Sequence, residues 1–108
     1  MIEALFEKKS CNLISVELKG HAESVEQGYD LVCSAASAIS QSIVIGITEV
    51  LKLNLNYSLK NGFLSFSLKD MAEDDILKCQ VLMKTMLLGL KSIEVSFGEY
   101  ISVKEMEV

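Results

Sequence analysis

Hydrophobic and polar positions alternate along the first twenty residues. Ile2, Ala4 and Phe6 stand opposite Glu3 and Glu7 in a period of two, and Ile14, Val16 and Leu18 repeat the pattern over residues 12–18. The polar Lys8-Lys9-Ser10 between them predicts a hairpin turn. From residue 30 to 52 the period lengthens. Val32, Ala36, Ile39, Ile43, Ile47 and Val50 recur every three or four positions, the spacing of one buried helix face. The rest of that helix is largely Ala, Ser and Ile, so cover on both sides is expected.

Alternation returns at Leu53, Leu55, Tyr57 and Leu59, breaks at Asn61-Gly62, and resumes at Leu64, Phe66 and Leu68. Asn-Gly between two alternating runs predicts a hairpin, because both residues accept the positive φ of a type I′ turn. A second helix is predicted over 72–91 through Ile76, Cys79, Met83, Met86 or Leu87, and Leu90, with Met83 and Met86 as core filling. Glu73, Asp74 and Asp75 fall in its first turn, where the helix dipole favours acids. Tyr100–Val108 reads as a last strand, which must pair with an earlier one to avoid an open edge. The expected fold is α+β, a largely antiparallel sheet with two helices in the order β-β-α-β-β-α-β, built from residues 1–108 as a single domain.

Composition narrows the function. At 108 residues the chain can bury roughly two-thirds of its unfolded surface. It has no proline, so linkers and low-complexity segments are not expected. Its apolar runs are interrupted by Lys, Glu, Ser or Gln, and no membrane span is expected. The opening MIEALFEKKS lacks the basic n-region and apolar core of a secretory signal, which points to the cytoplasm. The net charge is −5 and all ten basic residues are lysine, which speaks against nucleic-acid binding. Cys11, Cys33 and Cys79 include no CxxC pair and His21 is the one histidine, so neither a disulfide framework nor a metal site is expected, and no cofactor is implied.

The chemistry gathers in GHAESVEQGYDLVCSAAS, residues 20–37. On this reading His21 lies just past the second strand, residues 22–29 form the connection, and Asp30 caps the long helix. Cys33 then falls in the first helical turn, where unpaired N–H groups and the dipole favour the thiolate, the reactive form. A histidine in hydrogen-bond reach would favour it further or act as general base. Spacing alone leaves two readings: a Cys–His site, or a small core cysteine and an unrelated histidine. Asp30 can orient the imidazole or simply cap the helix. Ser37, one turn beyond Cys33, can donate a hydrogen bond or simply permit close packing. Gly20 and Gly28 are either hinges of a mobile loop or positive-φ positions. Cys11, in a strand, and Cys79, on the second helix, are expected to be structural.

Gly20-His21-Ala22, Gly28, Asp30-Leu31-Val32-Cys33, Ala35 and Ser37 together resemble the motif of the Prp family, ribosomal-processing cysteine proteases of some Gram-positive bacteria. The resemblance also covers the length of the chain and its element order. It implies that His21 is the general base and Cys33 the nucleophile of a dyad, with Asp30 and Ser37 supporting them. It implies as substrate the precursor of large-subunit ribosomal protein number twenty-seven, which loses a short N-terminal extension, and a homodimeric enzyme. Leu31, Ser34 and Ala36 depart conservatively from the family pattern, and residues 23–27 are more acidic than it. Two other readings stand beside this one: a non-catalytic assembly factor that binds a basic ribosomal protein, and a domain whose Cys33 is reversibly oxidised.

Overall fold

The structure, a computed structural model, describes residues 1–20, 27–60 and 62–108, with side chains for all of these except 27–30. Five strands form one sheet in the order β3-β4-β2-β1-β5. The first hairpin joins β1 (Ile2–Lys9) to β2 (Asn12–Lys19), and the second joins β3 (Asn56–Lys60) to β4 (Phe63–Ser67). β4 pairs antiparallel with β2. The last strand, β5 (Ile101–Glu107), finds its partner in β1 and runs parallel to it, Ile2 opposite Ile101. Three of the four pairings are thus antiparallel, and the α+β class is as the periodicity implies.

The first turn is shifted from expectation, with Lys8 and Lys9 in β1 and Cys11 in the loop. Lys9 pairs with Asn12, so Ser10 and Cys11 alone make the loop, at φ 51° and 69°. Both central residues take the positive φ of a type I′ turn, the hand that suits the twist of the flanking strands. Cys11 is therefore an exposed turn residue and not a strand residue.

α1 (Gln27–Ile45) begins three residues earlier than the spacing indicates and passes into a π-helical stretch, Gly46–Val50, closed by a bond from the Leu51 N–H to the Gly46 carbonyl (2.9 Å). Lys52, at φ 58°, ends the helical path. Leu51, Leu53 and Leu55 then lie half-buried against the core, and the strand starts only at Asn56. Their alternation reflects burial without pairing. The second predicted helix is two: α2 (Glu73–Lys78) and α3 (Gln80–Phe97), which meet at Cys79. Buried Gln80 explains the junction. Its amide donates to the Leu13 carbonyl (2.9 Å) and accepts from the Leu13 N–H (2.8 Å), tying the start of α3 to β2. Among the described residues there are three α-helices where two were expected.

α1 and α3 pack antiparallel on one face of the sheet. A Cβ at Gly89 would lie 3.6 Å from Ile39, and one at Gly46 would lie 2.9 Å from Leu82, so small residues on each helix admit the other. Phe6, Ile47, Leu68, Met83, Met86, Leu90 and Ile101 have no solvent exposure at the centre of this layer. The opposite face of the sheet is polar. Ser15 Oγ donates to Glu7 (2.6 Å), Lys69 pairs with the same carboxylate (2.8 Å), and Lys19 pairs with Glu17 (2.7 Å). A sheet covered on one side only reads as clean alternation, and this one does.

One expectation needs correction. Leu31–Val50 holds a single charge, Glu49, and its mean hydropathy of 1.7 makes it long and apolar enough to cross a membrane. Ser34, Ser37, Ser40, Gln41 and Ser42 do interrupt the run, but they do not bring its hydropathy below that of a span. Packing gives it another role here, since Val32, Ala36, Ile43 and Ile47 are buried against the sheet and α3.

Candidate active site

β2 ends at Lys19, and Gly20 is held at the strand end. Its N–H donates to the Gly62 carbonyl (2.9 Å) across the tip of the β3–β4 hairpin. Gly62 has φ 76°, and a Cβ there would come within 2.6 Å of the Gly20 carbonyl oxygen. Among the described residues it is the one glycine with positive φ. Gly20 is thus not a positive-φ position, and its N–H is committed to the hairpin tip. What it provides is a fixed point from which the chain leaves β2.

His21 and residues 22–26 lie outside the described residues, and with them the greater part of the connection predicted between the two candidate catalytic groups. The remainder of that connection differs from expectation. Gly28 and Asp30 belong to α1, so Gly28 is a helical residue and Asp30 is not the N-cap. Cys33 is correspondingly the seventh residue of the helix and lies in its second turn. In a regular α-helix the N–H groups of residues 33 and 34 are directed at the carbonyls four residues earlier. The free N–H groups belong to the first turn, one turn before Cys33.

Cys33 is a free thiol, half-buried, with one side against the core and the other open. Ser37 stands exposed one turn further along the same face. Ser34 is exposed as well. The other two thiols are placed differently. Cys11 is on the hairpin turn. Cys79 is fully buried at the α2–α3 junction, where burial and then the Asp75 carboxylate push its thiol above the ordinary value and keep it protonated. Among the described residues no group of three or more His, Cys, Asp or Glu is placed to hold a metal ion. Cys33 is thus the one cysteine that combines a packed anchor with an open side, which nucleophilic attack on a polypeptide requires.

Two features of this region were not read from the sequence. The clasp between Gly20 and Gly62 joins residues forty-two positions apart, and only the Asn-Gly signal hinted at the second of them. Tyr57 and Leu59 keep half their surface exposed although they alternate like buried residues.

The model of the family described as cysteine protease Prp matches residues 1–102. A ribosomal processing cysteine protease Prp from Staphylococcus aureus is 34% identical over 89 residues, 80% of each chain. The fold is that of a Streptococcus mutans protein of known crystal structure, with 31% identity, a TM-score of 0.86, and coverage of 100% of this chain and 96% of that one. It is also similar to an S. aureus ribosomal processing protease Prp crystallised with a covalently linked product peptide, with 26% identity, a TM-score of 0.82, and coverage of 98% and 100%.

Proposed function

Since the chain belongs to the Prp family and is a cysteine protease of the ribosomal-processing kind, we propose that it removes the N-terminal extension of large-subunit ribosomal protein number twenty-seven, with His21 and Cys33 as its dyad. The observation that carries the assignment is the half-open Cys33 on a helix anchored in the core, inside the span that the family model matches.

In this mechanism the Cys33 sulfur attacks the scissile carbonyl carbon while His21 takes up the thiol proton. The carbonyl π electrons move to oxygen and a tetrahedral intermediate forms. Its collapse breaks the C–N bond, His21 returns the proton to the leaving amine, and the acyl group remains on sulfur as a thioester. Water, deprotonated by His21, then attacks the thioester and releases the acid and the thiol. Because the N–H groups of residues 33 and 34 are internal to α1, the oxyanion takes its hydrogen bonds from other donors. The Ser37 hydroxyl, one turn from the sulfur, is one of them; Asp30 steadies the imidazole. The enzyme works as a homodimer in the cytoplasm, without nucleic acid, metal or cofactor.

Incubation with the unprocessed ribosomal protein, read by mass spectrometry, tests the assignment. Wild type is expected to shorten the precursor at one site, and Cys33→Ala and His21→Ala to leave it intact. An intact precursor with a wild-type enzyme whose Cys33 reacts with iodoacetamide overturns the substrate. Cleavage by either variant at the wild-type rate overturns the dyad. Light scattering is expected to give twice the chain mass of 11.9 kDa, and a monomer at micromolar concentration overturns the homodimer.

A further inference from the structure

The outer face of the helical layer, turned away from the sheet, carries a regular apolar pattern. On α3, Val81, Leu88 and Val95 are 76%, 64% and 88% exposed, although each is a branched aliphatic residue. They stand seven residues apart, and a helix drifts only about 20° over seven residues, so they form one stripe. Buried Met83, Met86 and Leu90 fill the opposite side of the same helix. On α1, Leu31 and Ile45 are 62% and 55% exposed, and Ala38 is exposed between them, again at intervals of seven.

The two stripes lie side by side. Ile39 meets Gly89 and Gly46 meets Leu82, which fixes an antiparallel register between α1 and α3. In that register Leu31 stands level with Val95, Ala38 with Leu88, and Ile45 with Val81, each within about 3 Å along the axis. The result is three apolar rungs across two helices. Charge is sparse around them. Residues 31–48 of α1 carry none. On α3, Lys91 and Glu94 are engaged with β5, through Glu105 (2.7 Å) and the Val103 N–H (2.8 Å). Lys84, one turn from Val81, can lay its stem along the face and keep its head in water. An exposed face with few charges and a repeat of seven suits packing against another helical surface.

We propose that this face is the interface of the homodimer, with a second copy of the chain as its occupant. The inference rests on the homodimer proposed above and names the surface that makes it. Self-complementarity supports the choice. A two-fold axis in the plane of the face and parallel to the helices sets α1 of one copy against α3 of the other. Each rung then meets its own counterpart, and Leu88 fills the hollow above Ala38 of the partner subunit. The area agrees. At 18 residues α3 is about 27 Å long, and two helices side by side are about 20 Å across. The face therefore buries about 500 Å² on each copy and about 1,000 Å² in all, the lower bound for a biological interface. Cys33 is turned about 120–160° around α1 from the rung residues, so both thiols stay open in the dimer.

Sedimentation of the whole chain at graded concentrations tests the face. Wild type is expected to dimerise. Leu88→Glu and Ala38→Glu are each expected to weaken the dimer at least tenfold, because a few central residues carry most of an interface's affinity. Both positions are exposed in the single chain, so these variants are expected to keep wild-type circular dichroism and wild-type reaction of Cys33 with iodoacetamide. Asn56→Glu, on the polar face of the sheet, is expected to leave the dimer unchanged. A cross-link decides the matter where a glutamate variant fails to fold. Ala38→Cys and Leu88→Cys, each combined with Cys11→Ser, are mixed, left to exchange subunits and oxidised. A cross-linked species of twice the chain mass is expected, most of it between the two variants. A wild-type dimer that both glutamate variants leave at full strength, or the absence of any cross-link, overturns this face and spares the homodimer. A wild-type monomer at micromolar concentration overturns both.

Discussion

Three cysteines of identical chemistry are separated into three roles by their surroundings. Cys79 is sealed at the α2–α3 junction with its thiol pushed above the usual value of 9.0, first by burial and then by Asp75. Native protein treated with iodoacetamide near neutral pH is expected to be modified at Cys11 and Cys33 and to leave Cys79 free until denaturant is added, as peptide mass mapping would record. Modification of Cys79 at the rate of Cys11 would contradict this burial. The same shift has a consequence for stability. The folded state holds the Cys79 proton more tightly than the unfolded chain, so this group disfavours folding as pH rises past 9. Glu7 works in the other sense. Its carboxyl is held below 4.5 chiefly by the hydrogen bond from Lys69 and then by that from Ser15. Its contribution is present above the unfolded value near 4.5 and is lost as pH falls through the depressed one. Lys69→Met is expected to move the Glu7 titration upward, as carboxyl NMR would show, and to make acid unfolding begin at higher pH.

Elements are joined at two contacts that no local rule specifies. The Gly20–Gly62 clasp ties the hairpin tip to the strand that leads into the candidate site. Gly62→Ala meets both a positive φ and the Gly20 carbonyl at 2.6 Å, and a loss of about 1–3 kcal/mol in urea denaturation is expected. The accompanying movement of Gly20 is expected to lower the rate of Cys33-dependent cleavage. Gln80 does the corresponding work between β2 and α3. Gln80→Leu leaves the Leu13 N–H and carbonyl without their partner, and a cost of about 2 kcal/mol is expected from the same measurement. Local signals did find the elements themselves. Period two located β1, β2 and β4, period 3.6 located α1 and α3, and Asn61-Gly62 marked the second hairpin. They erred where tertiary context overrides period. Leu53 and Leu55 alternate because they pack against the core from a coil, and Cys79 reads as mid-helix although the helix is interrupted there for one residue.

At the scale of the whole molecule, one apolar layer between the sheet and two antiparallel helices holds the domain. Phe6 lies at its centre without exposure. Phe6→Ala is expected to lower unfolding stability by about 3–5 kcal/mol, with loss of cleavage following loss of fold in a temperature series. The apolar segment 31–50 illustrates the same dependence on assembly. By hydropathy it resembles a membrane span, and only the sheet and α3 give it a folded alternative.

The sequence by itself determined the α+β class, most strand and helix positions, and the two residues proposed for chemistry. Each of these is written in local periodicity or in a short motif whose side chains act at fixed offsets. Tertiary structure alone decided that β5 joins β1 in parallel, that Gly20 is clasped to Gly62, and that Cys33 stands in the second turn of its helix. It also decided that Tyr57 and Leu59 keep half their surface exposed. The reason is physical. Such contacts depend on the directions and lengths of elements far apart in the chain, and their energy exists only once the hydrophobic layer has brought those elements together.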